Sequence, residues 1–222
     1  MDATLQGFTG NRFHDGTSRT PDGQIDVRAT IGPDAFARLP ARVRARFSHH
    51  APAHAPIVYR GLMQQVESTW LGYFMALATR LVGNPVVTGT GRNVPCTVTL
   101  TPDAELGGTI WHRRYTFAER TETAATTKRR GRDGSPVESF SGYFGMTLDI
   151  REVAGELHFI TDRYFVEWRS LRICLPRFLS PGRLTVTHAD EEDGWFRFTM
   201  TVKHPLFGVL LHQDGLFYDP ED

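Results

Sequence analysis

Cysteine is scarce in this 222-residue chain: Cys96 and Cys174 are the only two, far apart and in no CxxC or Cys/His spacing. That excludes a disulfide framework and a structural zinc site and leaves two free thiols as the plain expectation. A charge excess is missing too. Twenty-five Lys and Arg stand against 25 Asp and Glu, for a formal net charge of zero. Nucleic-acid binders carry a basic excess, and electrostatic adhesion to an anionic bilayer needs one, so neither partner is expected. No apolar run approaches the ~20 residues of a membrane-spanning helix, so no integral membrane association is expected. The first residues, MDATLQGFTGNRFHDG, lack a basic segment followed by an apolar one. No secretory signal is therefore expected, and the location read from this is cytoplasmic.

Complete cofactor signatures are missing as well. Residues 88–94 contain GxG without a third glycine or a strand-to-helix setting, and no P-loop, HExxH, GxSxG or EF-hand pattern occurs. Residues 49–56 hold three histidines among prolines and alanines, which give no fixed ligand spacing. The sequence thus predicts no cofactor and no metal.

What is present is an ordinary globular composition, 40% apolar and 23% charged, enough for a real core. Residues 1–30 are polar and Gly-rich and read as a poorly ordered or peripheral arm. Residues 31–222 read as a single domain. Phe36, Leu39, Val43 and Phe47 recur on one helical face, with Pro33 suited to a first turn and Pro40 splitting the segment in two. Arg38, Arg42, Arg44 and Arg46 lie largely off that stripe and read as a solvated basic face. Residues 69–82 read as a second helix, capped by Ser68 or Thr69 and stopped by Gly83 and Pro85. Its apolar residues cover nearly the whole circumference, which predicts a buried core helix or a lid over a cavity.

A period of two begins at Val94 and runs to Phe217. Seven or eight strands follow one another, with hairpin-like turns and no crossover helices between most of them, so a parallel sheet is excluded. Residues 128–135 read as an exposed hairpin tip. The predicted fold is α+β and mostly antiparallel β: a calycin-like curled meander, barrel or half-barrel, packed on one or two N-terminal helices.

The candidate site is drawn from residues expected to face the interior. Arg113 shares a strand face with Trp111 and Tyr115; Glu138 shares one with Phe140, Phe144 and Met146, read as a single strand from 137 to 150. Two opposite charges in an apolar space must be paired or meet a polar ligand. They serve either as a structural ion pair or as a polar anchor in an apolar pocket. His212, on the last strand, is the reserve acid or base. Phe74, Trp111, Tyr115, Phe140, Phe144, Phe198 and Met200 are expected to line the ligand space.

Several segments together resemble a bacterial family of uncharacterised domains, DUF4166. They are Ile31-Gly32-Pro33 through Phe36 to Leu39-Pro40, running on to Phe47-Ser48-His49; Val94-Pro95-Cys96-Thr97-Val98 with Trp111-His112-Arg113-Arg114-Tyr115; Leu175-Pro176 with Leu179 and Pro181; and His204-Pro205-Leu206-Phe207-Gly208 followed by Gly215. The resemblance implies a domain that often follows an NAD(P)-binding dehydrogenase-like domain. Gln213 and Asp214 depart from the aromatic and basic residues that the resemblance leads one to expect before Gly215. Three functions follow from these readings: a cofactor-independent cyclase or isomerase of an apolar metabolite, a carrier or sensor of a lipid-like molecule, and an interaction module for a separate dehydrogenase. The expected partners are a hydrophobic small molecule and, optionally, a second copy of the chain.

Overall fold

The structure is a computed structural model that describes residues 23–48, 56–83, 85–169, 171–176 and 180–219. The first 22 residues of the expected arm and most of the histidine loop, including His49, His50 and His54, lie outside the described residues. Three short helices come first: α1 (Val27–Ile31), α2 (Pro33–Arg38) and α3 (Ala41–Ser48). Pro33 opens α2 at N1, and Pro40 falls in the break before α3. β1 (Ile57–Ser68) leads to α4 (Trp70–Thr79), capped by Thr69 Oγ1 accepting from Gly72 N at 3.1 Å. A 3-10 turn (Arg80–Val82) ends at Gly83, where φ is +112°. Ten strands follow: β2 (Gly91–Pro102), β3 (Thr109–Thr116), β4 (Thr121–Arg130), β5 (Pro136–Ser139), β6 (Phe144–Val153), β7 (Glu156–Trp168), β8 (Leu171–Cys174), β9 (Arg183–Asp190), β10 (Trp195–His204) and β11 (Gly208–Tyr218).

Every pairing is antiparallel, in the order β6-β5-β4-β3-β2-β1-β11-β10-β9-β7. β6 pairs with β7 and closes the circle, while β8 hangs on β7 as an extra strand. The ten-stranded barrel removes the edges that an open meander leaves unpaired. Alternation puts Tyr59 and Met63 of β1 and Gln213 and Phe217 of β11 inside. A bulge between Met63 and Gln65 shifts the parity so that Val66 also faces in.

Four sequence expectations change here. Residues 137–150 are not one strand but a hairpin of β5 and β6, with Glu138 opposite Met146 and the turn at residues 140–143. Lys128 is not in an exposed tip; it sits inside β4 and is buried. Val27, within the expected arm, packs into the core. Arg46 is not on a solvated face: its side chain is 2% exposed and pairs with Asp219 at 2.7 Å.

The helices close the two ends of the barrel. Leu39, Val43, Phe36 and Val27 join Leu148, Ile150 and Leu157 in one core cluster, and Arg38 reaches Glu152 at the end of β6. At the other end Thr69 N donates to Leu210 O at 2.9 Å, and α4 lies across the mouth with Gly72 and Ala76 buried. A Cβ at Gly72 would strike the Leu210 carbonyl, and one at Gly83 the Phe140 carbonyl. Both contacts need glycine because the backbones meet there. The outer face of α4 stays in solvent, so the expectation of a helix buried all round fails.

Candidate functional site

The barrel interior is filled mainly by side chains. Among the described residues, small hollows of about 20, 60 and 60 Å³ remain between them, roughly one water's room in the first and a few in each of the others. They share walls. Arg46, Trp111 and Lys128 line both the central hollow and the one under α1–α3, while Arg113 and Val186 line both the central hollow and the one under α4. The charged residues therefore stand as partitions between apolar spaces.

β3 and β4 position them. Arg113 on β3 lies opposite Ala124, whose small side chain leaves room, and Lys128 on β4 lies opposite Glu138 on β5. Lys128 Nζ is 3.2 Å from Glu138 Oε2 and sits 4.7 Å from the Trp111 ring centroid. The expected Arg113–Glu138 pair is not formed. Among the described residues no carboxylate comes within 4.0 Å of Arg113, which instead donates from Nη2 to Thr126 Oγ1 at 3.1 Å and to Pro85 O at 3.3 Å. Pro85 is brought there by the segment after α4, which Glu122 ties to the rim by accepting from Thr88 N at 2.7 Å.

The environment sets the charges. Burial pushes the Glu138 carboxyl up, but Lys128 and then Arg113 pull it down further, so it stays ionised below the usual carboxylate range. Burial drives the Lys128 ammonium down; Glu138 opposes this and Arg113 adds to it. Burial raises the Cys96 thiol to about 12 against a weaker opposing pull from Arg113, so it is an inert apolar wall.

His188 on β9 is 2% exposed and ringed by Phe47, Trp111, Phe159, Phe196 and Phe198 at 4.9–6.3 Å between centroids. Neither ring nitrogen has a hydrogen-bond partner among the described residues. Burial, then the Arg46 and Lys128 charges, hold its pKa well below the usual value, so the imidazole is neutral. Gln213 accepts from Tyr115 OH at 2.9 Å through Oε1, while its Nε2 has no partner among the described residues.

The candidate residues separate accordingly. Arg113, Trp111, Tyr115 and Phe198 line the central hollow; Glu138, Phe140 and Met200 line the hollow under α4, which Arg113 shares. Phe144 is half-buried at the start of β6 and lines none of the three. Phe74 is 57% exposed on the outer face of α4, so it is no lining residue. His212 is not brought to the interior: Leu211, Gln213, Gly215 and Phe217 take the inward positions of β11, and His212 points outward, its Nδ1 2.9 Å from Thr201 Oγ1. The interior residues missed from sequence are Lys128, His188, Gln213 and Arg46. Parity offered a signal for Lys128, two residues beyond Thr126, but its cluster of basic neighbours masked it.

Among the described residues no group of three or more His, Cys, Asp or Glu side chains is placed to hold a metal ion, and no helix is long and apolar enough to cross a membrane. A closed antiparallel barrel with polar groups set in an apolar interior is an architecture consistent with small-molecule binding. The sequence profile of the family described as "Domain of unknown function (DUF4166)" matches residues 39–217, and the chain belongs to that family. Searches of curated proteins and of solved structures found no match.

Proposed function

We propose that the barrel interior binds a slender, mainly apolar small molecule whose polar end meets Arg113, Lys128 and Glu138. The observation that carries this reading is the line of hollows partitioned by buried polar side chains, some with unmet hydrogen-bonding capacity. Buried polar groups are normally satisfied, and a ligand would satisfy these. Four of the five methionines, Met63, Met75, Met146 and Met200, line the hollows. Methionine repacks at low cost, which suits a space that must widen for an occupant.

The finer proposal is a cofactor-independent isomerisation or cyclisation. Arg113 holds an oxygen of the substrate. Lys128, its ammonium destabilised by burial, gives a proton to one substrate atom and takes one back from another, so that no net proton is consumed, while Glu138 holds the ammonium in place. Native mass spectrometry of the purified chain should show a retained small molecule, or the neutral fluorophore N-phenyl-1-naphthylamine should bind saturably and less well to Met200→Phe. A chain with neither a retained mass nor saturable binding overturns the reading.

A second reading rests on a separate observation. Trp70, Phe74, Leu77 and Leu81 of α4 and its 3-10 turn are exposed, as are Leu206 and Phe207 of the adjoining β10–β11 turn and Val209 at the start of β11. So large an apolar patch suits docking, and the occupant proposed is the dehydrogenase-like domain that the family resemblance implies. Loss of binding to such a domain in Phe74→Ser/Leu81→Ser supports this; an unchanged affinity overturns it.

A further inference from the structure

We propose that the molecule held in the barrel carries an anionic oxygen head of the carboxylate class, seated on Arg113 between the central hollow and the hollow under α4. This rests on the interior being a binding site and adds the chemical class of its ligand.

The argument is one of charge and donors. Lys128 and Glu138 stand 3.2 Å apart and neutralise each other. Arg46 is matched by Asp219 through two hydrogen bonds of 2.9 and 2.7 Å. Among the described residues Arg113 has no carboxylate within 4.0 Å: Glu138 acts on it only at longer range, its acceptors are a threonine hydroxyl and a proline carbonyl, both neutral, and Arg113, Lys128 and Glu138 together keep one net positive charge. A guanidinium does not shed its proton in a protein. Its buried charge therefore persists, and a buried charge is costly unless paired. Its Nε–H also has no acceptor among the described residues, although Arg113 is 7% exposed.

A carboxylate answers both deficits. One of its oxygens can accept the free Nε–H in a charge-assisted hydrogen bond, and its charge supplies the counter-ion. The alternatives answer less. A cationic head would be repelled by Arg113 and Lys128. A neutral hydroxyl or carbonyl would take one hydrogen bond and leave the charge unmatched. His188 is neutral and supplies no counter-charge. The tail would run toward α4, where Met75, Met146 and Met200 face Val86, Leu184 and Phe140 around the hollow.

The test is calorimetric titration of the full chain with decanoate, 1-decanol and methyl decanoate, which share a tail and differ in the head. Decanoate should bind about tenfold tighter than either neutral probe. Arg113→Gln should erase that preference while 1-decanol affinity stays within about threefold. Arg113→Lys keeps the charge and loses the Nε–H donor, so it should also weaken decanoate binding selectively; circular dichroism confirms that each variant is folded. Equal or tighter binding of 1-decanol, or a decanoate preference that survives both substitutions, overturns the anionic head and leaves the binding site standing. Failure of all three probes to bind overturns the reading of the interior as a binding site.

Discussion

The helices at the two ends of the barrel reverse what their sequences suggest. α3 is Ala41-Arg42-Val43-Arg44-Ala45-Arg46-Phe47-Ser48, three arginines in eight residues; α4, from Trp70 to Thr79, has no charge at all. Yet α3 sends Val43, Phe47 and the guanidinium of Arg46 into the barrel mouth, the last 3.8 Å above the Phe196 ring centroid. α4 buries fully only Gly72 and Ala76 and turns Trp70, Tyr73, Phe74 and Leu77 outward. Composition does not rank burial. A long side chain with a partner at its tip can be drawn in, and an apolar helix that docks closely through Gly72 and Ala76 leaves most of its large residues outside, Leu71 and Met75 apart.

The largest effect expected from this contrast is at the charged helix. Arg46 is 2% exposed at its side chain and Asp219 is 27% exposed. Removing one partner of a buried pair costs about 3–5 kcal/mol because the other charge is stranded. Asp219→Asn strands the deeply buried guanidinium and should lie near about 5 kcal/mol. Arg46→Met strands only an aspartate that water can reach, so it should lie near about 3 kcal/mol. Urea unfolding of both variants checks the order. A reversed order would mean that the contact with Phe196, not the ion pair, holds α3 in place.

The strand pattern from Val94 onward was legible because a two-residue period survives wherever one face is buried. It placed Arg113, Trp111, Phe198 and Met200 inside. It fails where a turn signal is outweighed by its neighbours. The turn at residues 140–143 carries Ser141-Gly142, but the aromatic residues Phe140, Tyr143 and Phe144 around it read as a continuing strand, where β5 and β6 form a hairpin. On β11 the period was right and the side was wrong, because polar Gln213 takes the inward position to meet Tyr115. Arg113 and Glu138 were both placed in the interior, but their pairing was not. Lys128 took Glu138 through cross-strand register, which no single strand's pattern reveals.

A smaller effect concerns what Arg46 and Phe47 enclose. The folded state holds His188 neutral, its pKa well below the unfolded value near 6.5. As pH falls through about 6.5, the unfolded chain binds a proton that the folded chain refuses. Stability must then fall with pH, by up to about 1.4 kcal/mol per unit. Above pH 7 this contribution is flat. His188→Phe removes it, so the stability curves of the two proteins should run parallel above pH 7 and separate below 6.5. Curves still parallel at pH 5 would show that the imidazole takes up its proton inside the barrel.

The smallest effect is expected where the sequence is most apolar. Phe74 is 57% exposed and Leu81 is 90% exposed, so truncating either removes little area that folding takes from water. The walls of the hollow beneath come from the opposite side of α4, from Met75 and Thr79, which these substitutions leave in place. Phe74→Ala and Leu81→Ala should each change stability by no more than about 0.5 kcal/mol, with decanoate affinity unchanged. Leu77→Ala, at 39% exposure, should cost less than the roughly 2–5 kcal/mol of a buried leucine. Thermal melts of the three variants decide the matter. A loss above about 2 kcal/mol for Phe74→Ala would mean that this face is covered in solution, and the comparison between a helix drawn in by its arginine and one left out by its aromatics would fail.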